Sequence, residues 1–501
     1  MTRCDVTGWR PKPALCRPRS SFQELSKGTF CTMEQPANTT LSVARGRLAL
    51  VGAARGRGPL LRALQAVADV RPGEAATALA LAVTVFLLLT AYYLLKVARE
   101  PLILLSGGAE VKAYAAAGQA LLLIGVLKAY ASLASRVGRM ALLACVLLFF
   151  ASNLVLFSLA VRLGASVGVP FYLWVGTFSV TVLAAFWSFA NDVYRPEQGR
   201  RLFAVIGAGS SVGAVAGAAL ARLLFRAVGP AELMLCAAAL LCICLGLFAW
   251  VHGRTRAEAA SVRAAREADV PLSKEGGFAL LARDPYLLLI GVLSLLRNWV
   301  NSTGEYVLDR TLVAAAPHQA MAAGISVTRF IGEFKADYFG AVNILGVVCQ
   351  LFVVSRVLKH LGVGRALFAL PLVSICANLT MGFMPVLGLI RVAKVAENGV
   401  DYSLQNTTGN ALFLVVSRDA KYKAKAVIDA FLVRAGDALG GLAIWAGTHF
   451  AWSTRAFARI DVALCLVWLA VAWAIQRRHA ALSASRTAPA SVVPTTMARA
   501  A

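Results

Sequence analysis

The sequence predicts an all-α membrane protein with twelve transmembrane helices arranged as two six-helix halves. Three observations predict it. The 501-residue chain is 59% hydrophobic and only 15% charged, with a mean hydropathy of +0.69. Soluble domains run at about 45–50% apolar and about 25% charged residues. Apolar runs near the length of about 20 residues that a bilayer requires recur along the chain. Finally, short basic turns in the first half recur in the second at a nearly constant offset.

The first 74 residues are basic, polar and Pro/Gly-containing, and read as a disordered cytoplasmic tail. Met33 is an alternative start within it. A transit peptide is the other reading, because Arg-rich, Ser-containing extensions have that function. Six spans then fall near 76–98, 113–132, 140–161, 169–190, 203–225 and 231–251. A polar stretch follows, and six more lie near 285–307, 337–358, 365–384, 385–405, 425–449 and 457–475. The expected organisation is a tail at 1–74, a half at 75–251, a cytoplasmic linker at 252–284, a half at 285–476 and a cytoplasmic tail at 477–501. Arg136-Val137-Gly138-Arg139 has a loose counterpart in Gly362-Val363-Gly364-Arg365. Glu197 to Arg201 likewise matches Lys421 to Lys425. Such offsets point to a duplicated unit of the parallel-repeat kind.

The net charge is +25, from 50 Lys+Arg against 25 Asp+Glu. In a soluble protein this would suggest nucleic acid. Here most of the basic residues fall in the N-terminal tail, in the intervals after even-numbered spans and in the C-terminal tail. The positive-inside rule therefore places both termini in the cytoplasm, with the bilayer and not nucleic acid as the partner. The ten Cys lack metal-site spacing and the five His are far apart. No nucleophile–base set is visible. The expectation is a non-enzyme with no metal and no cofactor.

Five basic residues sit inside apolar spans: Lys96, Arg297, Arg391, Lys394 and Arg434. Glu305, Glu397 and Asp437 are placed similarly. A mid-bilayer charge costs about 2.5–3.5 kcal/mol on insertion scales, so each must face a cavity or a partner. The excess of cations points to a multiply charged anionic cargo. Internal pairing, such as Arg391 or Lys394 with Glu397 or Asp437, is the plainer alternative for any one residue. Arg391 and Lys394 share a helical face that Glu397 and Asp401 continue. Tyr92, Tyr93, Trp187, Phe189, Trp299, Tyr306 and Tyr402 lie near these charges. They read either as stacking surfaces for a base or as ordinary interfacial aromatics.

Gly207-x-Gly209-x-x-x-Gly213 is not a Walker A loop, since no strand precedes it and no Gly-Lys-Ser/Thr follows. Gly209, Gly213 and Gly217 instead form a small-residue stripe for close helix packing, and Gly436, Gly440 and Gly447 do the same later. Without a P-loop, transport would run on gradients or exchange.

Four stretches carry a resemblance: Ala91–Leu105, Phe186–Gly217, Asn301–Val313 and Arg391–Gly441. Together they resemble the nucleotide (ATP/ADP) exchange transporters of plastids and intracellular bacteria, over about residues 76–475. The basic Gly-Arg turn after the second span also resembles the short loop motif of the major facilitator superfamily. The resemblance implies a major-facilitator-type fold, a monomer in a bacterial inner membrane, and nucleotide as the small-molecule partner. It implies functional roles for Lys96, Glu197 and Glu305, and for one of Lys421, Lys423 and Lys425. Arg297, Arg391, Lys394 and Arg434 complete the candidate substrate-binding set. Two alternatives stay open: a carrier of another organic anion, possibly coupled to protons through Glu305 or Asp437, and a non-transporting membrane component on the same fold.

Overall fold

Long runs of Leu, Ala and Val leave few places where a backbone can stop hydrogen bonding to itself, and helices result. A computed structural model describes residues 74–194, 196–267, 277–416 and 424–487. All lie in one unit, Leu61–Ala501. Among the described residues there is helix and no strand.

Helix α1 runs from Ala75 to Arg136 and bends at Gly108, whose φ of 73° and ψ of −173° are non-helical. This left-handed φ suits glycine, and a Cβ there would be strained. Pro101 adds a second irregularity in the same region. There follow α2 (Arg139–Arg162), α3 (Gly168–Val193), α4 (Pro196–Ala227) and α5 (Pro230–Glu267). Next come the short α6 (Gly277–Arg283), α7 (Pro285–Ala322) and α8 (Val327–Val348). A π-helical turn at Cys349–Val354 joins α8 to α9 (Ser355–Ala366). After α10 (Ala369–Phe383), α11 (Leu387–Val400) passes through a second such turn, Asp401–Gln405, into α12 (Asn406–Leu412). A third, Ile428–Leu432, links the short α13 (Lys425–Val427) to α14 (Val433–His449). The last helix, α15, covers Thr454–Thr487.

Seven helices among the described residues are long and apolar enough to cross a membrane. Helices α7, α11 and α14 are not among them. They are shorter or more charged, and their charged side chains are paired against one another and against neighbouring helices. Several helices outrun their apolar segments. Helix α5 continues to Glu267, past residue 251, and α15 continues to Thr487, past residue 475. Hydropathy marks where a helix leaves lipid, whereas Ala, Arg and Glu let it continue into water. Residues 1–73, the remainder of the expected tail, lie outside the described residues.

The glycine stripes close two helix pairs. A Cβ added at Gly213 would meet the Phe86 backbone of α1, with Cα at 2.9 Å, and one at Gly217 would meet Thr90 Cα at 2.8 Å. Gly436 and Gly440 lie against Leu295, Trp299 and Ser302 of α7 in the same way. Thus α4 packs on α1 as α14 packs on α7. The outer faces expose large apolar side chains, among them Leu121, Leu156, Leu223, Phe352 and Leu466. Apolar exposure on this scale fits a hydrocarbon surround.

Candidate functional site

The site grows from the inner faces of α1, α7, α8, α11 and α14. Their small and aromatic residues leave a cavity lined by Lys96, Arg99, Glu100, Lys112, Glu305, Asp309, Arg434 and Asp437 among others. Basic and acidic members balance. This differs from an expectation drawn from the excess of in-span cations. The reason is physical: charges withdrawn from water need counter-charges, and acids from α1, α7 and α14 provide them.

Helix α1 supplies Lys96 one helical stretch before the Gly108 bend. Its Nζ lies 4.1 Å from the Phe339 ring centroid, 5.3 Å from that of Tyr93 and 6.0 Å from that of Tyr92. Among the described residues it makes no ion pair. Glu305 and Glu100 act on it from beyond ion-pair distance. Aromatic faces stabilise an ammonium without neutralising it.

Beyond Lys96, toward Gly108, the charges are locked together. Lys112 Nζ donates to Glu100 Oε2 at 2.5 Å and to Asp309 Oδ2 at 2.6 Å. Lys335 is fully buried, pairs with Asp309, and lies 3.6 Å from Glu100 and 3.9 Å from Glu305. Arg99 pairs with Glu100 at 3.3 Å and covers the Tyr172 ring. Arg222 reaches Asp337 at 2.7 Å and Arg226 reaches Glu333 at 3.3 Å. Among the described residues, every ion pair joining 75–251 to 285–476 lies on this Gly108 side.

Glu305 accepts hydrogen bonds from Tyr338 Oη and from Asn398 Nδ2, the latter at 2.9 Å. Arg434 pairs with Asp437 at 3.2 Å, and Ser302 Oγ donates to the same carboxylate at 3.0 Å. The structure therefore brings Lys96, Glu305 and Arg434 to one cavity. Lys394 lies behind it, buried, donating to Glu397 at 2.8 Å and to the cavity residue Asn301 at 3.1 Å. Arg297 pairs with Asp401 at 3.3 Å and lines a second pocket, together with Lys425. Lys425 itself pairs with Asp429 at 2.6 Å. Arg391 points elsewhere, 3.9 Å from Asp337 and over the Phe334 ring. The shared face of Arg391 and Lys394 splits because helical residues three apart diverge enough to meet different neighbours. Glu197 falls in the first turn of α4, its side chain outside the described residues. Lys421 and Lys423 also lie outside them.

The candidate set expected from the sequence does not contain Glu100, Lys112, Asp309 and Lys335; Lys112 and Lys335 lie just outside the expected spans 113–132 and 337–358. Helices α1 and α8 extend through those positions and carry them inside. The four-residue spacing of Glu305 and Asp309 was the available signal, since it places both acids on one face.

No family model matches the chain. Solved structures share its architecture at low identity. A bacterial homologue of the iron transporter ferroportin, inward-facing, aligns with a TM-score of 0.57 and 12% identity, over 81% of this chain and 100% of that one. The nucleoside transporter NupG aligns at 0.53 and 12% identity, over 81% and 99%. An auto-inhibited peptide transporter of the POT family aligns at 0.54 and 13%, over 79% and 96%. These likenesses show the fold alone: an all-helical, multi-pass membrane architecture shared with solved transporters.

In sequence, the chain is similar to the ADP,ATP carrier protein 1 of Chlamydia trachomatis, 24% identical over 351 residues. The match spans 62% of this chain and 64% of that carrier. The ADP,ATP carrier protein 1 of Chlamydia muridarum is 23% identical over 349 residues, again 62% and 64%. The chain thus spans under two thirds of the length of these curated relatives. Fold and sequence likeness together support the resemblance to the nucleotide exchange transporters, on a major-facilitator-like fold.

Proposed function

We propose that the chain is a secondary transporter that exchanges nucleotides, ATP against ADP, across a bacterial inner membrane. In this reading it has twelve membrane-crossing helices in two halves, 75–251 and 285–476, joined by a linker at 252–284. Both termini face the cytoplasm, and a monomer suffices without metal or cofactor. The tails at 1–74 and 477–501 flank the transport unit.

The observation that carries the reading is Lys96. It is a cavity cation with no carboxylate partner among the described residues. A phosphate chain would supply the missing counter-charge, with lysine acting as a point charge and Arg434 as a fork once released from Asp437. Glu305 would exchange its present donors for basic residues during the cycle. In a non-transporting component, by contrast, every buried charge would be paired.

With the termini cytoplasmic, the Gly108 side faces outward, and its inter-half ion pairs would hold that gate shut. Opening it without cargo would strand Glu100, Asp309, Lys112 and Lys335 apart from one another. Breaking a buried pair costs about 3–5 kcal/mol. A bound polyphosphate offsets part of that cost by engaging the lysines, so the loaded carrier reorients and the empty one does not. That asymmetry is what obligatory exchange requires. The test is uptake of labelled ATP into liposomes holding the purified chain, preloaded with ADP or left empty. Uptake that requires internal ADP supports the reading, and none from folded protein in either condition overturns it.

A further inference from the structure

A second buried polar site lies behind the cavity, on the far side of α7. Asp461 of α15 is 1% exposed. Its Oδ2 is buried and has no hydrogen-bond partner among the described residues. Its Oδ1 lies 2.6 Å from Thr303 Oγ1 on α7. The same hydroxyl lies 3.1 Å from the carbonyl oxygens of Trp299 and Val300. A helical threonine ordinarily gives its single hydrogen to such a carbonyl. Here that hydroxyl donates to Asp461 Oδ1 at the shortest of its three contacts, and it is the one hydrogen-bond partner of the carboxyl group among the described residues.

The surrounding charges bear on the protonation of that carboxyl group. From α11, Lys394 and Glu397 act on Asp461 electrostatically, and Cys465 lies one turn along α15. Lys394 is the one cation of this group, and Glu397 already holds it at 2.8 Å. Ser374 Oγ of α10 donates to the same Glu397 at 2.7 Å. Among the described residues, Asp461 is left with no cation of its own. A lone carboxylate inside a bilayer is costly, and a carboxyl in that position takes up a proton instead.

We propose that Asp461 is a proton-binding site, and that a proton bound there travels with the cargo. The carboxyl gains its proton from water on one side and releases it on the other, with no other bond changed. Asn301 and Thr303 sit two positions apart on α7, so cavity and proton site share one helical turn. Asn301 lines the cavity and accepts from Lys394. Cargo that draws Lys394 toward the cavity would loosen Glu397 and change the field at Asp461. The inference rests on the exchange reading, and complements it chemically. A nucleoside triphosphate carries one more negative charge than a diphosphate, and an accompanying proton balances that difference.

The experiment uses the full chain in ADP-loaded liposomes with a pH-sensitive dye in the lumen, and reads protons moved per labelled ATP taken up. The wild type is expected to acidify the lumen as ATP enters, and Asp461→Asn to lose that proton movement per ATP. ATP uptake by the wild type without a pH change, or an unchanged ratio in the variant, overturns the proposal. Asn is isosteric with a neutral Asp, so the variant is expected to melt with the wild type. Infrared spectra of the purified protein at neutral pH give a second readout that needs no cargo. The carbonyl band of a neutral carboxylic acid should be present in the wild type, shifted to higher frequency in Thr303→Val and missing in Asp461→Asn. A band identical in all three overturns the site. If ATP is not taken up while the infrared pattern holds, the nucleotide reading falls and the proton site stands.

Discussion

Lys112 of α1 and Asp309 of α7 are 2.6 Å apart and tie the first half of the chain to the second. Both are largely withdrawn from solvent, at 11% and 2% side-chain exposure. Such a contact is weak as a source of net stability, because desolvation consumes most of the attraction. It is strong as a latch, because pulling one partner away leaves a buried charge behind.

Lys112→Ala should therefore unlatch the Gly108 side rather than unfold the protein. With Asp309 left facing Lys335 alone, and Glu100 left with Arg99 and Lys335, the closed arrangement loses about 3–5 kcal/mol relative to the open one. Distances between spin labels at Val228 and Ala323, in a cysteine-free background, should broaden toward longer values in the variant. An unchanged distribution would remove the latch role.

Lys96 offers the opposite case. It has no ion-pair partner among the described residues, so Lys96→Ala should leave the melting temperature in detergent unaltered or slightly raised. Cargo binding should suffer instead. A charge-assisted hydrogen bond contributes about 1.5–3 kcal/mol, and each 1.4 kcal/mol is about tenfold in affinity. Uptake at low ATP concentration should fall by about tenfold or more, and Lys96→Arg should recover part of it. Equal losses of stability and uptake would make Lys96 structural.

Glu305 sits between the two. It accepts from Tyr338 and Asn398 and faces Lys335 at 3.9 Å. Glu305→Gln keeps an acceptor for both donors, and Lys335 keeps Asp309, so the fold should hold. The dependence of uptake on internal ADP should weaken, because the charge that trades partners is gone. Exchange with its asymmetry untouched would rule out that role.

The glycine stripe is testable without transport. Gly213→Val places atoms against the Phe86 backbone, which cannot step aside as a side chain can. Overpacking costs about 1–3 kcal/mol, and the variant should melt earlier and aggregate during gel filtration. Gly207→Ala is the control, since nothing lies within 4 Å of a Cβ there. Similar behaviour of both variants would dissociate the stripe from α1–α4 packing.

The helical membrane class is legible in the sequence, because apolar runs and sparse charge admit few other structures. The sequence marked α4 and α14 as closely packed, because small residues repeating along one helix face mark where backbones approach, while their partners α1 and α7 emerge only from the packed structure. It also singled out Lys96, Glu305 and Arg434, since an in-span charge is legible wherever hydropathy is high around it. Which charges meet follows from the packing of the helices. Glu100, Lys112, Asp309 and Lys335 come from positions far apart in the chain, and pairing between distant residues has no local periodicity to read. Asp461 stayed hidden for the same reason: its significance lies in having Thr303 beside one oxygen and, among the described residues, no hydrogen-bond partner for the other, a relation that exists only once α7 and α15 are packed together.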